Sequence, residues 1–109
     1  YLCEFCGNIY RTPVIFRSVE NIIKELIELM QLNVNHFRFV DDNFTLHPEL
    51  STLCCELKRY DIYYRCHTRS NLITSESAQW LAESHCEECS LGIESADDTV
   101  LKLNNKHDV

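Results

Sequence analysis

The feature that most limits the fold of this chain is an alternation: helix-like and strand-like segments succeed one another three times, and a further helix follows. From Ser18 to Leu32 the residues Val19, Ile22, Ile23, Leu26, Ile27 and Met30 recur at three- and four-residue spacing. That period predicts a helix with one buried face, and Ser18 is a good cap for it. Strands are expected over about His36–Val40, Ile62–Thr68 and Glu88–Ile93. Helices are expected over Pro48–Tyr60, with Pro48 in its first turn, and Ser75–Ser84, with Ser75 as cap, and a fourth starts near Ala96. Strands joined through helices of this length cannot pair as hairpins. They form right-handed βαβ units and a parallel sheet. Tyr1 to Phe16 lacks periodicity, contains Gly7 and Pro13, and reads as a long loop. At 109 residues there is room for one small domain, and two glycines with two prolines are too few for the turns of an all-β fold.

The strands carry a second message in their alternation. Phe37 and Phe39 oppose His36, Arg38, Val40 and Asp42; Ile62, Tyr64 and Cys66 oppose Tyr63, Arg65, His67 and Arg69; Cys89, Leu91 and Ile93 oppose Glu88, Ser90, Gly92 and Glu94. Both faces of a parallel sheet are usually apolar. Here one face collects charges that would be costly to bury alone, so they either pair with one another or line the interior of a barrel holding a polar ligand. Ligands of parallel barrels bind at the carboxyl ends of the strands. Asp41, Asp42, Arg69, Glu94 and Ser95 all fall at such ends.

A net charge of −7 without a basic stripe argues against a nucleic-acid partner. No run approaches the ~18 apolar residues of a membrane helix, so no membrane partner is expected. Seven cysteines, an odd number with no export signal, favour reduced thiols and metal ligation over a disulfide framework, and predict a cytoplasmic protein. Cys3 and Cys6 form a Cys-x-x-Cys pair whose two sulfurs can reach one metal or cluster. Cys86 and Cys89 form a second pair, and a four-cysteine zinc site is one reading of the two together. Packing is the other reading of Cys86 and Cys89, as of Cys54, Cys55 and Cys66, while Trp80 is expected in the core. His67 is either a pocket residue or a hydrogen-bonded histidine inside a barrel.

Cys3-Glu4-Phe5-Cys6 resembles the last part of the Cys-x3-Cys-x2-Cys loop of radical S-adenosylmethionine (radical SAM) enzymes. Three further segments resemble the ends of successive barrel strands of that superfamily: Phe39-Val40-Asp41-Asp42-Asn43-Phe44-Thr45, Cys66-His67-Thr68-Arg69 and Leu91-Gly92-Ile93-Glu94-Ser95, with Val100-Leu101-Lys102 in the helix after the last. The first of these is similar to the branch that includes cobalamin-dependent members. The resemblance covers nearly all of residues 1–109, in order. It implies an α/β fold, a fragment of a partial (β/α)6 TIM-like barrel with parallel strands, cut at both ends.

The implied activity is that of an enzyme in which a 4Fe–4S cluster, fed by an external electron donor, reductively cleaves S-adenosylmethionine. The product is a 5′-deoxyadenosyl radical, or methyl transfer where a domain outside this chain supplies cobalamin; the cofactors carry that chemistry and the protein positions them. By the same resemblance Cys3 and Cys6 are cluster ligands, and Phe5 lies near the adenine. Asp41 and Asp42 stand near the S-adenosylmethionine amino end, with strand parity favouring Asp42. Arg69 faces the carboxylate or the substrate, and Glu94 and Ser95 the ribose or methionine part. No catalytic residue and no substrate are assigned. The first cluster cysteine is expected four residues before Cys3, ahead of Tyr1, so this stretch alone is expected to be inactive and, with open sheet edges, prone to associate. Two rivals compete with this reading. A receiver-like signalling domain would use the acidic pair to hold magnesium, and a dithiol redox domain would use Cys3 and Cys6.

Overall fold

The structure, a computed structural model, describes Cys6 and residues 13–106. Helix α1 (Val19–Met30) leads to strand β1 (His36–Arg38), α2 (Leu50–Arg59), β2 (Tyr63–Thr68), α3 (Ser75–Glu83), β3 (Cys86–Leu91) and α4 (Asp98–Leu103). Single 3-10 turns, Phe44–Leu46 and Ser70–Leu72, follow the first two strands. The three strands form one parallel sheet in the order β1-β2-β3. The expected alternation is therefore the fold.

Local chemistry explains most boundaries. Ser18 caps α1, its side chain accepting from the Asn21 N–H. Thr74, not Ser75, caps α3, because its hydroxyl accepts from the Ser77 N–H while Ser77 returns a bond to the Thr74 backbone. Pro48 lies ahead of α2 rather than in its first turn. Asp97 caps α4 through the Thr99 and Val100 N–H groups, and those bonds hold its carboxyl below the ordinary range.

Strand β3 begins earlier than its sequence suggests, at Cys86 instead of Glu88. The cause is a bulge against β2: Tyr64 faces Cys86, yet the next residue, Arg65, faces Glu88, and Cys66 faces Cys89. Glu87 is the extra residue. The bulge resets the alternation, so Cys86 and Cys89, three apart, both lie on the face of Tyr64 and Cys66. Cys86 is thus a strand residue.

That face carries the core. Val19, Ile23 and Leu26 of α1, Leu50, Leu53, Cys54 and Leu57 of α2, and Leu81 of α3 are buried with Phe44, Ile62, Tyr64 and Cys66, and Phe37, Phe39, Cys86 and Cys89 pack against them. Phe39, Phe44 and Tyr64 form an aromatic trio with centroids 4.7–5.5 Å apart. Two expectations fail here. Trp80 is 38% exposed, because α3 turns Ser77 and Leu81 inward; and Cys55 is exposed on α2 beside the buried Cys54. No described helix is long and apolar enough to cross a membrane.

The wholly buried Tyr64 hydroxyl bonds Ser84 Oγ at 2.7 Å and lies 3.7 Å from Cys54 Sγ. Burial pushes both the tyrosine hydroxyl and the Cys54 thiol up from their ordinary 10.0 and 9.0. A raised folded value means stability that is full below the unfolded value and is lost as pH rises towards the folded one. Under reducing conditions the urea midpoint is therefore expected to fall between about pH 8 and about pH 10.5, with a smaller fall in Tyr64→Phe. A midpoint flat across that window would contradict the assignment.

Candidate functional site

All three helices that join the core lie on one face of the sheet. Among the described residues the other face has no helical cover, and it carries the polar side chains expected from the alternation. His36, Arg38 and Arg65 are exposed, and His67 and Ser90 half-buried. Arg38 Nη2 donates to His67 Nε2 at 2.8 Å, which makes that ring nitrogen the acceptor. Arg65 stands 3.8 Å from Glu87 and 3.7 Å from Glu88, both brought to it by the bulge, and Ser90 Oγ bonds Glu88 at 3.1 Å. His36 stacks on Tyr63 and lies 3.4 Å from Glu87. The charges therefore pair across the strands and still face outward from the core. A doubly wound sheet would cover this face with helices. A barrel turns it inward.

The strand ends gather the residues singled out from sequence. Asp41 and Asp42 leave the end of β1, Arg69 the end of β2, and Glu94 and Ser95 the end of β3; the parallel pairing puts these three ends on the same edge of the sheet. Pairing of β1 goes no further than Arg38 and the Phe39 N–H, which bonds the Arg65 carbonyl at 2.9 Å. The strand alternation is thus not enforced as far as Asp42. Both aspartates are exposed and have no bonding partner among the described residues. Arg69 Nε donates to Asn71 Oδ1 at 3.3 Å. Glu94 takes a left-handed backbone, φ 66°, and its Oε1 lies 3.0 Å from Lys106 Nζ. The Ser95 hydroxyl accepts from the Asp97 N–H at 3.0 Å. Cys6 is an exposed free thiol, while Cys3 and Phe5 lie outside the described residues.

Two residues at this edge were invisible in the sequence. Asn43 Oδ1 and Ser70 Oγ, just beyond β1 and β2, are buried without a hydrogen-bond partner among the described residues. Unpaired buried polar atoms are rare and call for an explanation. A polar ligand seated on this edge supplies one, so the residues present fit the S-adenosylmethionine implied by the resemblance. A third, Lys106, is buried, whereas Lys102, which the motif had drawn attention to, is exposed. No polar or apolar period signals that difference.

The four-cysteine zinc reading is not favoured: it needs Cys3, which lies outside the described residues, and Cys86 and Cys89 pack against the core. No group of three or more His, Cys, Asp or Glu side chains among the described residues could hold a metal ion. Cys66 and Cys86 instead touch across the sheet at 3.9 Å, and that contact together with burial holds Cys66 well above the ordinary thiol range.

Comparison with known proteins agrees with the geometry. The sequence model described as "Radical SAM superfamily" matches residues 1–109. A protein of Pyrococcus horikoshii, named as an uncharacterized methyltransferase, is 29% identical over 110 aligned residues, covering 95% of this chain. The chain spans about a quarter of that curated relative's length, 24%.

Proposed function

The chain belongs to the radical SAM superfamily, and from that premise we propose that it is part of the core domain of an enzyme that cleaves S-adenosylmethionine at a 4Fe–4S cluster. The single observation that carries this reading is the one-sided sheet. Its helices cover one face, and its polar face and the carboxyl edge of its strands are left for a ligand. In this reading residues 1–109 are a piece of a partial (β/α)6 barrel continued by other parts of the protein.

Cys3 and Cys6 would hold the cluster through two thiolates, and a third cysteine from outside these residues would complete the loop. When bound, the cluster and S-adenosylmethionine would supply a 5′-deoxyadenosyl radical or a transferable methyl group. The chain's own residues bind and orient. Asp41 and Asp42 offer negative charge to the ammonium end. The Arg69 guanidinium brings positive charge to the carboxylate end. Glu94 and Ser95 present acceptors to ribose hydroxyls, Phe5 an apolar face to adenine, and Asn43 and Ser70 have unused polar atoms for the same ligand. An external electron donor is the expected partner, and reduced thiols suit a cytoplasmic setting; all six described cysteines are free. The methyltransferase name of the Pyrococcus relative favours methyl transfer as the reaction class, with cobalamin held by another domain.

The test is anaerobic reconstitution of the full-length protein with iron and sulfide. About four irons per chain are expected, with reductant-dependent release of 5′-deoxyadenosine or transfer of the methyl group from S-adenosylmethionine. A protein that takes up no cluster would overturn the reading.

A further inference from the structure

Lys106 is the most deeply buried cationic side chain among the described residues, at 3% exposure, and it lies beyond the end of α4. A lysine is almost never fully buried unless its ammonium is paired. Here Nζ donates to the Gly92 carbonyl and lies 3.0 Å from Glu94 Oε1. Its own N–H bonds the Leu101 carbonyl at 2.9 Å, which fixes the stem of the side chain to the last turn of α4.

The carboxylate it grips is held in an unusual way. Glu94 adopts φ 66°, a conformation that a non-glycine residue keeps only when its surroundings impose it. Gly92 leaves the necessary room. A Cβ at that position would meet Glu94 Oε1 at 3.0 Å and Lys106 Nζ at 3.4 Å. Three residues from two segments thus form one device at the carboxyl end of β3, and the Glu94 side chain remains 46% exposed. One carboxylate oxygen is engaged by the lysine. The other has no hydrogen-bond partner among the described residues.

We propose that Lys106 is a positioning residue for S-adenosylmethionine: it immobilises Glu94 across Gly92, so that the second carboxylate oxygen is presented at the strand edge to a hydroxyl or ammonium donor of the ligand. The proposal rests on the radical SAM reading of the site. Preorganising an acceptor lowers the ordering cost of binding, so losing the lysine weakens binding without removing any atom that touches the ligand.

The experiment is a double-mutant cycle on the full-length, iron-reconstituted protein, read as S-adenosylmethionine affinity by equilibrium dialysis, with thermal melting recorded for each variant. Lys106→Met is expected to weaken binding about tenfold. In a Glu94→Ala background the same change is expected to have no further effect, because the lysine acts through the glutamate. A purely structural lysine would lower the melting temperature in both backgrounds and leave no such dependence in the affinity. If Lys106→Met does not fold, Gly92→Ala decides the matter, since its Cβ would crowd the contact between the Glu94 carboxylate and the Lys106 ammonium. Weakened binding supports the proposal and unchanged binding overturns it. Equal losses from Lys106→Met in both backgrounds, or no loss, also overturn it while the radical SAM reading stands. Absence of binding by the unmodified protein removes that reading itself.

Discussion

Replacing Cys6 by alanine is expected to reduce the iron held after anaerobic reconstitution from about four atoms per chain to less than about one, with loss of S-adenosylmethionine cleavage. A cluster thiolate has no substitute in a methyl group, and the exposed thiol of Cys6 has no role in the core that could confuse the outcome. Cys55→Ala is the matched control, since Cys55 is also free and exposed. Iron bound by surface thiols at random would fall in both variants by similar amounts. Selective loss in Cys6→Ala identifies a cluster ligand, and retention of iron in that variant would remove Cys6 from the site.

The largest effect on stability is expected at Leu57. Its side chain is fully buried, at 0% exposure, in the core cluster that α2 shares with α1, α3 and the sheet. Leu57→Ala removes apolar contacts and leaves a cavity, a change that costs about 2–5 kcal/mol. Domains of this size are held by about 5–15 kcal/mol in total. The substitution therefore removes a large share of the stability, and the urea midpoint should fall accordingly. Leu103→Ala, at a position 76% exposed, should stay within about 0.5 kcal/mol of the parent. A Leu57 variant as stable as the Leu103 variant would mean that α2 is not packed as described.

Much of this was legible beforehand, and for definable reasons. The α1 stripe and the apolar–polar alternation of residues 62–68 are local patterns produced by burial itself, so Val19, Ile23, Leu26, Tyr64 and Cys66 are found inside as their spacing implies. Asp41, Asp42, Arg69, Glu94 and Ser95 were found at strand ends because strand limits alone decide that. The start of β3 is not legible, because a bulge inserts Glu87 without changing composition and nothing in the string of residues records a skipped pairing. Trp80 is large and apolar, yet its angular position on α3 sets it away from the face of Ser77 and Leu81 that is buried. Lys106 escaped notice because its burial depends on the meeting of two segments, Gly92–Glu94 and the end of α4, which no single window of sequence contains.

The two-sidedness of β2 also bears on how substitutions in this region would be read by an experimenter. Tyr64, Cys66 and Thr68 face the helices, and Arg65 and His67 face away from them. A codon-by-codon scan along this strand would alternate between two phenotypes, low protein abundance at one residue and near-normal abundance at the next. Averaging such data over a sliding window would erase the signal, whereas sorting it by odd and even position would recover the orientation of the strand from genetics alone.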